Sequence, residues 1–203
     1  MKWCLALALC ASLAAADAPH LYYSKSFPNS TPPFVAVNLD KNGAGDYKEA
    51  ENDDNPVHFQ LSPAETSEIF GLVEKLGYFD HPLESGLKVA FMGTKTFRYT
   101  NGSRTGEVKF NFSEDPSAQA LGDWFDRISE SEQLLTSLEV SAKYDKLGID
   151  KAVLMLEIAY DHKRLVALPQ YLPLLDRVAR NESYIHQARL RAAALAEQFR
   201  AVK

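Results

Sequence analysis

The sequence predicts an α+β protein: a mostly antiparallel sheet with two packed helices, followed by an all-helical C-terminal region. Three observations predict it. Short runs alternate apolar and polar residues up to residue 112, with glycine-bearing turns between them. One stretch among them, Leu61–Phe79 (LSPAETSEIFGLVEKLGYF), instead repeats its apolar residues at helical spacing. Beyond Asp115 the alternation ends, and helical spacing runs almost to the last residue.

The chain opens MKWCLALALCASLAAADAPH. Lys2 is a short basic start, Trp3–Leu13 an apolar core, and Ala14-Ala15-Ala16 a small-residue cleavage site. This reads as a secretory signal peptide over residues 1–16, so a secreted or periplasmic location is expected. About 13 apolar residues fall short of the ~20 that span a bilayer core. Cys10 would be acylated in a lipoprotein, but Leu9 precedes it where a small residue belongs. Cleavage after Ala16 removes Cys4 and Cys10. The mature chain then has no disulfide, no cysteine metal site and no thiol nucleophile. A cysteine-free exported chain held by its core alone fits a bacterial envelope better than an animal exterior. Asn29, Asn101, Asn111 and Asn181 head sequons that would matter only in a eukaryote.

Residues 17–33 are rich in Pro, Ser, Asn and Thr and read as a disordered leader. An α+β domain is expected over 34–146. Phe34–Leu39 (FVAVNL) is a strand, Asp40-Lys41-Asn42-Gly43 a turn, and Gly45–Ala50 the returning strand with Tyr47 inward. Glu51–Pro56 is an acidic loop before the short strand Val57–Gln60. In the Leu61–Phe79 helix Ser62 is the N-cap, Pro63 takes the first helical position, and Glu65 completes a capping box. Ile69, Phe70, Leu72, Val73 and Leu76 form its apolar face, and Gly77 ends it. Asp80–Gly86 is a loop and Leu87–Phe91 a strand. Thr94–Thr100 and Gly106–Phe112 make a hairpin through Asn101-Gly102-Ser103-Arg104. Its core face carries Phe97, Tyr99, Val108, Phe110 and Phe112. A helix follows Asp115 with the stripe Leu121, Trp124, Phe125 and Ile128, a break near Ser129–Ser131, and Leu134–Tyr144 beyond it. The helical region 147–203 begins with Ile149–Tyr160, apolar on two sides and so read as sandwiched. Leu174–Arg180 and Glu182–Arg200 complete it, the latter with Tyr184, Ile185, Ala188, Ala192, Leu195 and Phe199 inward. No repeat spacing recurs there.

The order of these pieces, Val37–Tyr47, Leu61–Phe79, Thr96–Phe112 and Trp124–Ile128, resembles exported bacterial domains of unknown function. The resemblance covers about half of the 203 residues and leaves out the helical region. It implies this layout of strands and helices and brings no activity, cofactor or site residue with it.

The formal net charge is −5. Residues 17–142 hold 10 Lys and Arg against 20 Asp and Glu, whereas residues 143–203 hold 11 against 7. An acidic body argues against nucleic acid as a partner. The basic region is read as complementing the body within one molecule, with contact to an anionic surface as the other option.

Candidate sites for chemistry are few. Asp40, Asn42, Gly45 and Glu51 occupy calcium-loop positions of an EF-hand pattern, but Ala44 stands where an oxygen ligand belongs and the flanks read as strands, so a plain hairpin is favoured. His20, His58, His81, His162 and His186 form no metal-binding spacing. Asp161 and His162 point apart on a helix, and Glu182 with His186 suits a surface pair. No nucleophile motif or glycine-rich phosphate loop occurs. The acidic run Glu49, Glu51, Asp53 and Asp54 reads as a solvated loop, and Phe97, Tyr99, Phe110 and Phe112 as a core face rather than a ligand groove. No catalytic, cofactor or metal residue and no cofactor is therefore assigned. The expectation is a non-enzymatic module that binds a protein or an envelope polymer. A hydrolase with two carboxylates in a cleft and a calcium-dependent element at 40–51 are the alternatives.

Overall fold

The computed structural model describes residues 18–202; the expected signal peptide lies outside the described residues. Six strands form one antiparallel sheet: β1 His20–Ser26, β2 Phe34–Asp40, β3 Ala44–Lys48, β4 Val57–Gln60, β5 Thr94–Asn101 and β6 Arg104–Phe110. Their spatial order is β4-β3-β2-β1-β5-β6. Five α-helices accompany it: α1 Pro63–Lys75, α2 Pro116–Tyr144, α3 Ile149–Asp161, α4 Leu172–Arg180 and α5 His186–Ala201. A 3-10 turn, Leu168–Tyr171, precedes α4. The α+β class and the helical C-terminal region are as the sequence predicts. No helix among the described residues is long and apolar enough to cross a membrane.

The leader is the largest correction. His20–Ser26 is a central strand, paired with β2 on one side and β5 on the other. Leu21 and Tyr23 are fully buried, and Tyr23 stacks on Phe125 at 4.4 Å. The alternation HLYYSKS carries the strand; the Pro- and Ser-rich residues after it are only the turn into β2. The sheet domain therefore begins at β1 and not at residue 34.

One face of the sheet, with Val37, Leu39, Tyr47, Phe59, Phe97, Tyr99, Val108 and Phe110, packs against α1 and the first half of α2. Helix α1 starts as its sequence dictates. Ser62 Oγ accepts from Glu65 N at 3.2 Å, and Glu65 Oε2 accepts from Ser62 N at 2.7 Å. Ser62→Ala is expected to lower unfolding free energy by about 1 kcal/mol as a lost cap; a urea titration showing no loss would mean the reciprocal bond does not stabilise the helix.

Helix α2 is continuous, with no break at Ser129–Ser131. The Ser129 hydroxyl donates to Phe125 O, which keeps serine compatible with the helix interior. Leu121–Ile128 belong to the first core and Leu135 and Leu138 to a second, built with α3, α4 and α5. The division between units thus falls inside α2, not at residue 147. Helix α3 packs against both α2 and α5, but Met155 and Ile158, which the sequence pattern puts on a buried side, are exposed. Helix α5 begins at His186, later than expected, and Ile185 is exposed while Tyr184 is buried.

Arginines tie the C-terminal region together. Arg164 reaches Asp123 and Glu130 of α2, Arg191 reaches Asp150 and Glu157 of α3, and Arg200 reaches Asp176 of α4. Of these, Arg164 is the one that answers charge on the acidic body. Val166 and Ala167 join the first core, and Ala167 N donates to Glu65 Oε1 at 3.3 Å. The helical region therefore packs on the sheet domain.

Candidate functional site

The segment between α1 and β5 also departs from expectation. Leu87–Phe91 forms no strand. It alternates like one, but it pairs with no strand; Ala90 O and Met92 N bond the Asn111 side chain instead. Leu87, Val89, Phe91 and Met92 are 51, 43, 56 and 56 % exposed. Four large exposed apolar side chains fall within six residues, a concentration of the kind that marks contact surfaces.

This loop is fixed at both ends. Asn111 is the brace: its Oδ1 accepts from Met92 N at 2.8 Å and its Nδ2 donates to Ala90 O at 3.1 Å. Its backbone N–H donates to Glu84 Oε2 at 2.6 Å, which holds the Glu84 carboxyl below its ordinary range. Ser85 N donates to Phe112 O at 2.9 Å. The expected strand Gly106–Phe112 therefore stops at Phe110, and Asn111 turns away to serve the loop; Phe112 is left partly exposed and not on the core face. At the far end Gly93 lies against Ser26 and Phe27, and Phe91 packs edge-on to Phe27 at 6.1 Å.

The loop's root is strained. Gly77, Tyr78 and Phe79 all have positive φ, at 60, 59 and 67°. A left-handed tyrosine and phenylalanine in succession cost on the order of 1–2 kcal/mol each. Packing holds them. The Arg104 guanidinium lies 3.8 Å from the Tyr78 ring centroid, Tyr78 meets Tyr99 at 4.9 Å, and Phe79 meets Phe97 at 5.4 Å.

A second candidate surface is the uncovered sheet face. Ser24, Ala36 and Thr96 are nearly buried there, although no helix lies over them. They form the floor of a groove of about 610 Å³, rimmed by Tyr22, Phe34, Lys48, Arg98 and Lys109. Arg98 lies over the Tyr22 ring at 5.0 Å and bonds Glu107.

The sequence-predicted candidates separate in the structure. Asp40 ends β2 and faces His20 at 2.8 Å, while Asn42 Oδ1 accepts from Ala44 N. Gly43, at φ 88°, closes the turn. Residues 40–48 are thus an ordinary hairpin: Asp46 faces His58 at 2.5 Å, and the side chains share no centre. His81 pairs with Asp80 and His162 with Ile158 O; His186 meets Arg189 at 3.4 Å rather than Glu182. Phe97, Tyr99 and Phe110 are core residues. Among the described residues, no group of three or more His, Cys, Asp or Glu side chains is placed to hold a metal ion. Sequence reasoning missed Asn111 as a brace, whose only signal is its place just past an alternating run. It also missed Glu132, fully buried on α2. No family model matches this chain, and no curated protein matches it.

Proposed function

We propose that this protein is an exported, non-enzymatic binding module of a bacterial envelope that docks its apolar loop, residues 87–92, into a cleft of a partner protein. The observation that carries the reading is the exposure of Leu87, Val89, Phe91 and Met92 on a loop pinned at both ends. A loop already ordered loses little conformational freedom on binding, so more of its apolar burial appears as affinity. A protein is favoured over an anionic bilayer because residues 17–142 carry twice as many acids as bases and repel such a surface. Export is supported by the basic, apolar and small-residue succession of residues 1–16.

The test uses the full mature chain immobilised against envelope extract. Leu87→Asp with Phe91→Asp is expected to weaken retention of the wild-type partner at least about 10-fold, with the thermal midpoint moving less than about 2 °C since both positions are exposed. Equal retention by the double variant, or no reproducible partner for the wild type, removes the reading.

A second reading places an anionic envelope polymer in the sheet groove. It is favoured by Lys48, Arg98 and Lys109 lying on one face of an acidic domain, although Glu51 also lines the groove and Glu107 pairs with Arg98 and Lys109. Ala36→Tyr fills that floor without touching the core, so loss of binding in this variant alone assigns the partner to the groove.

A further inference from the structure

Helix α2 passes between the two cores, and its residues 131–133 lie where they meet. Ser131 Oγ accepts from Val166 N at 3.0 Å, and Ser131 O accepts from the Tyr171 hydroxyl at 2.8 Å. Gln133 Nε2 donates to the Tyr47 hydroxyl at 2.8 Å. Glu132 itself has no exposed surface. Its Oε1 accepts from Gln170 Nε2 at 2.8 Å. The second oxygen of each group, Glu132 Oε2 and Gln170 Oε1, is buried without a hydrogen-bond partner among the described residues.

Those two orphans explain each other. A carboxylate and a carboxamide oxygen are both acceptors, so neither can serve the other while Glu132 is ionised. Buried acceptors left unpaired are destabilising. One proton on Oε2 supplies the missing donor. It is the natural partner for Gln170 Oε1, because the amide already bonds the other carboxyl oxygen through Nε2. The two groups then form a closed ring of two hydrogen bonds, with both orphans satisfied. We infer that Glu132 is a protonated carboxylic acid in the folded protein, paired with Gln170 through two hydrogen bonds, and that this pair locks residues 165–171 onto α2 in an acid-favoured way.

The surroundings agree. Tyr47 approaches from β3 and Tyr171 from the 3-10 turn, both neutral, with burial pushing their hydroxyls well above the ordinary range. Glu65 of α1 holds Ala167 N nearby, and on α2 the like-charged neighbours are Glu130, paired with Arg164, and Glu139. No cation among the described residues pairs with Glu132. Burial first, and then the Glu139 charge, push its carboxyl up to about 7 against the lowering effect of Gln170. A carboxyl raised in the fold from an ordinary 4.5 binds its proton more tightly folded than unfolded. Its contribution to stability is therefore intact below about pH 4.5, falls as pH rises toward 7, and is fully lost above. The folding constant loses roughly 300-fold over that window. An exported protein meets the external pH directly, so the grip between sheet domain and helical unit would follow it.

The experiment compares urea unfolding of wild type and Glu132→Gln from pH 5 to pH 8. The amide keeps the shape and offers Gln170 a donor, but cannot ionise. Other titrating groups act equally on both proteins. The two are expected to agree near pH 5, with the variant's folding constant exceeding wild type by about 100-fold at pH 8. A difference independent of pH overturns the proposal. A direct readout, independent of any variant, is the carbon-13 shift of the Glu132 carboxyl: a midpoint near 7 is expected, and titration near 4.5 overturns the lock.

Discussion

Phe97→Ala is expected to remove about 3–5 kcal/mol of stability, moving the urea midpoint by roughly 2 M at a slope near 2 kcal/mol per M. Phe97 is fully buried at the centre of the sheet's inner face. Its ring meets Tyr23 of β1 at 5.7 Å, Phe79 of the α1 turn at 5.4 Å, Phe110 of β6 at 5.1 Å and Phe125 of α2 at 5.8 Å. Those rings hang from four different elements, so they cannot close together over the space left behind. That places the loss toward the upper end of the range. The effect should also cross into the helical region. Helix α2 contributes Phe125 to one core and Leu138 to the other, and Val166 and Ala167 lie in the first core although they sit between α3 and α4, helices of the second. Unfolding should therefore remain a single transition, followed equally by sheet and helix amides in hydrogen exchange. Helix amides that keep their protection at the wild-type urea midpoint would show that the two cores are not coupled through α2.

What could be seen in the sequence was local. The capping box at Ser62, the turn at Gly43 and the strand Val57–Gln60 are set by neighbours within a few residues, and each stands where the pattern puts it. What failed was non-local. Strand β1 is flanked by turn-forming residues, and its place at the sheet centre comes from pairing Tyr23 with Val37 and with Phe97, far along the chain. Leu87–Phe91 fails in the opposite direction: its alternation is real, but the segment pairs with no strand, and the Asn111 side chain, about twenty residues on, takes Ala90 O and Met92 N. Glu132 did carry a signal. It falls four residues after Ile128 and three before Leu135, on the apolar stripe of α2. A carboxyl in that register is buried, and a buried carboxyl needs a proton or a partner. Which partner could not be read, because Gln170 arrives from a 3-10 turn that local spacing does not define.

The same reasoning makes Gly106 the most sensitive position in the sheet edge. A Cβ there would collide with the Tyr78 carbonyl oxygen and lie 3.2 Å from that of Phe79. Both obstacles are backbone, so no side-chain rotation relieves them. Either β6 must move from its pairing with Tyr99, or the left-handed turn 77–79 must swing outward. The second route unstacks Tyr78 from Arg104 and Tyr99, contacts that hold an already strained backbone in place. Gly106→Ala is thus expected to lose at least about 3 kcal/mol, above the usual range for a single added methyl group. Because that turn is the root of the apolar loop, the folded fraction that remains should also bind the partner less tightly. Glycine's role here is close approach and not a positive φ, so Gly106→Ser should behave like alanine. A thermal midpoint unchanged in Gly106→Ala would mean that the turn rests on its own contacts and that the edge of β6 does not set the loop's position.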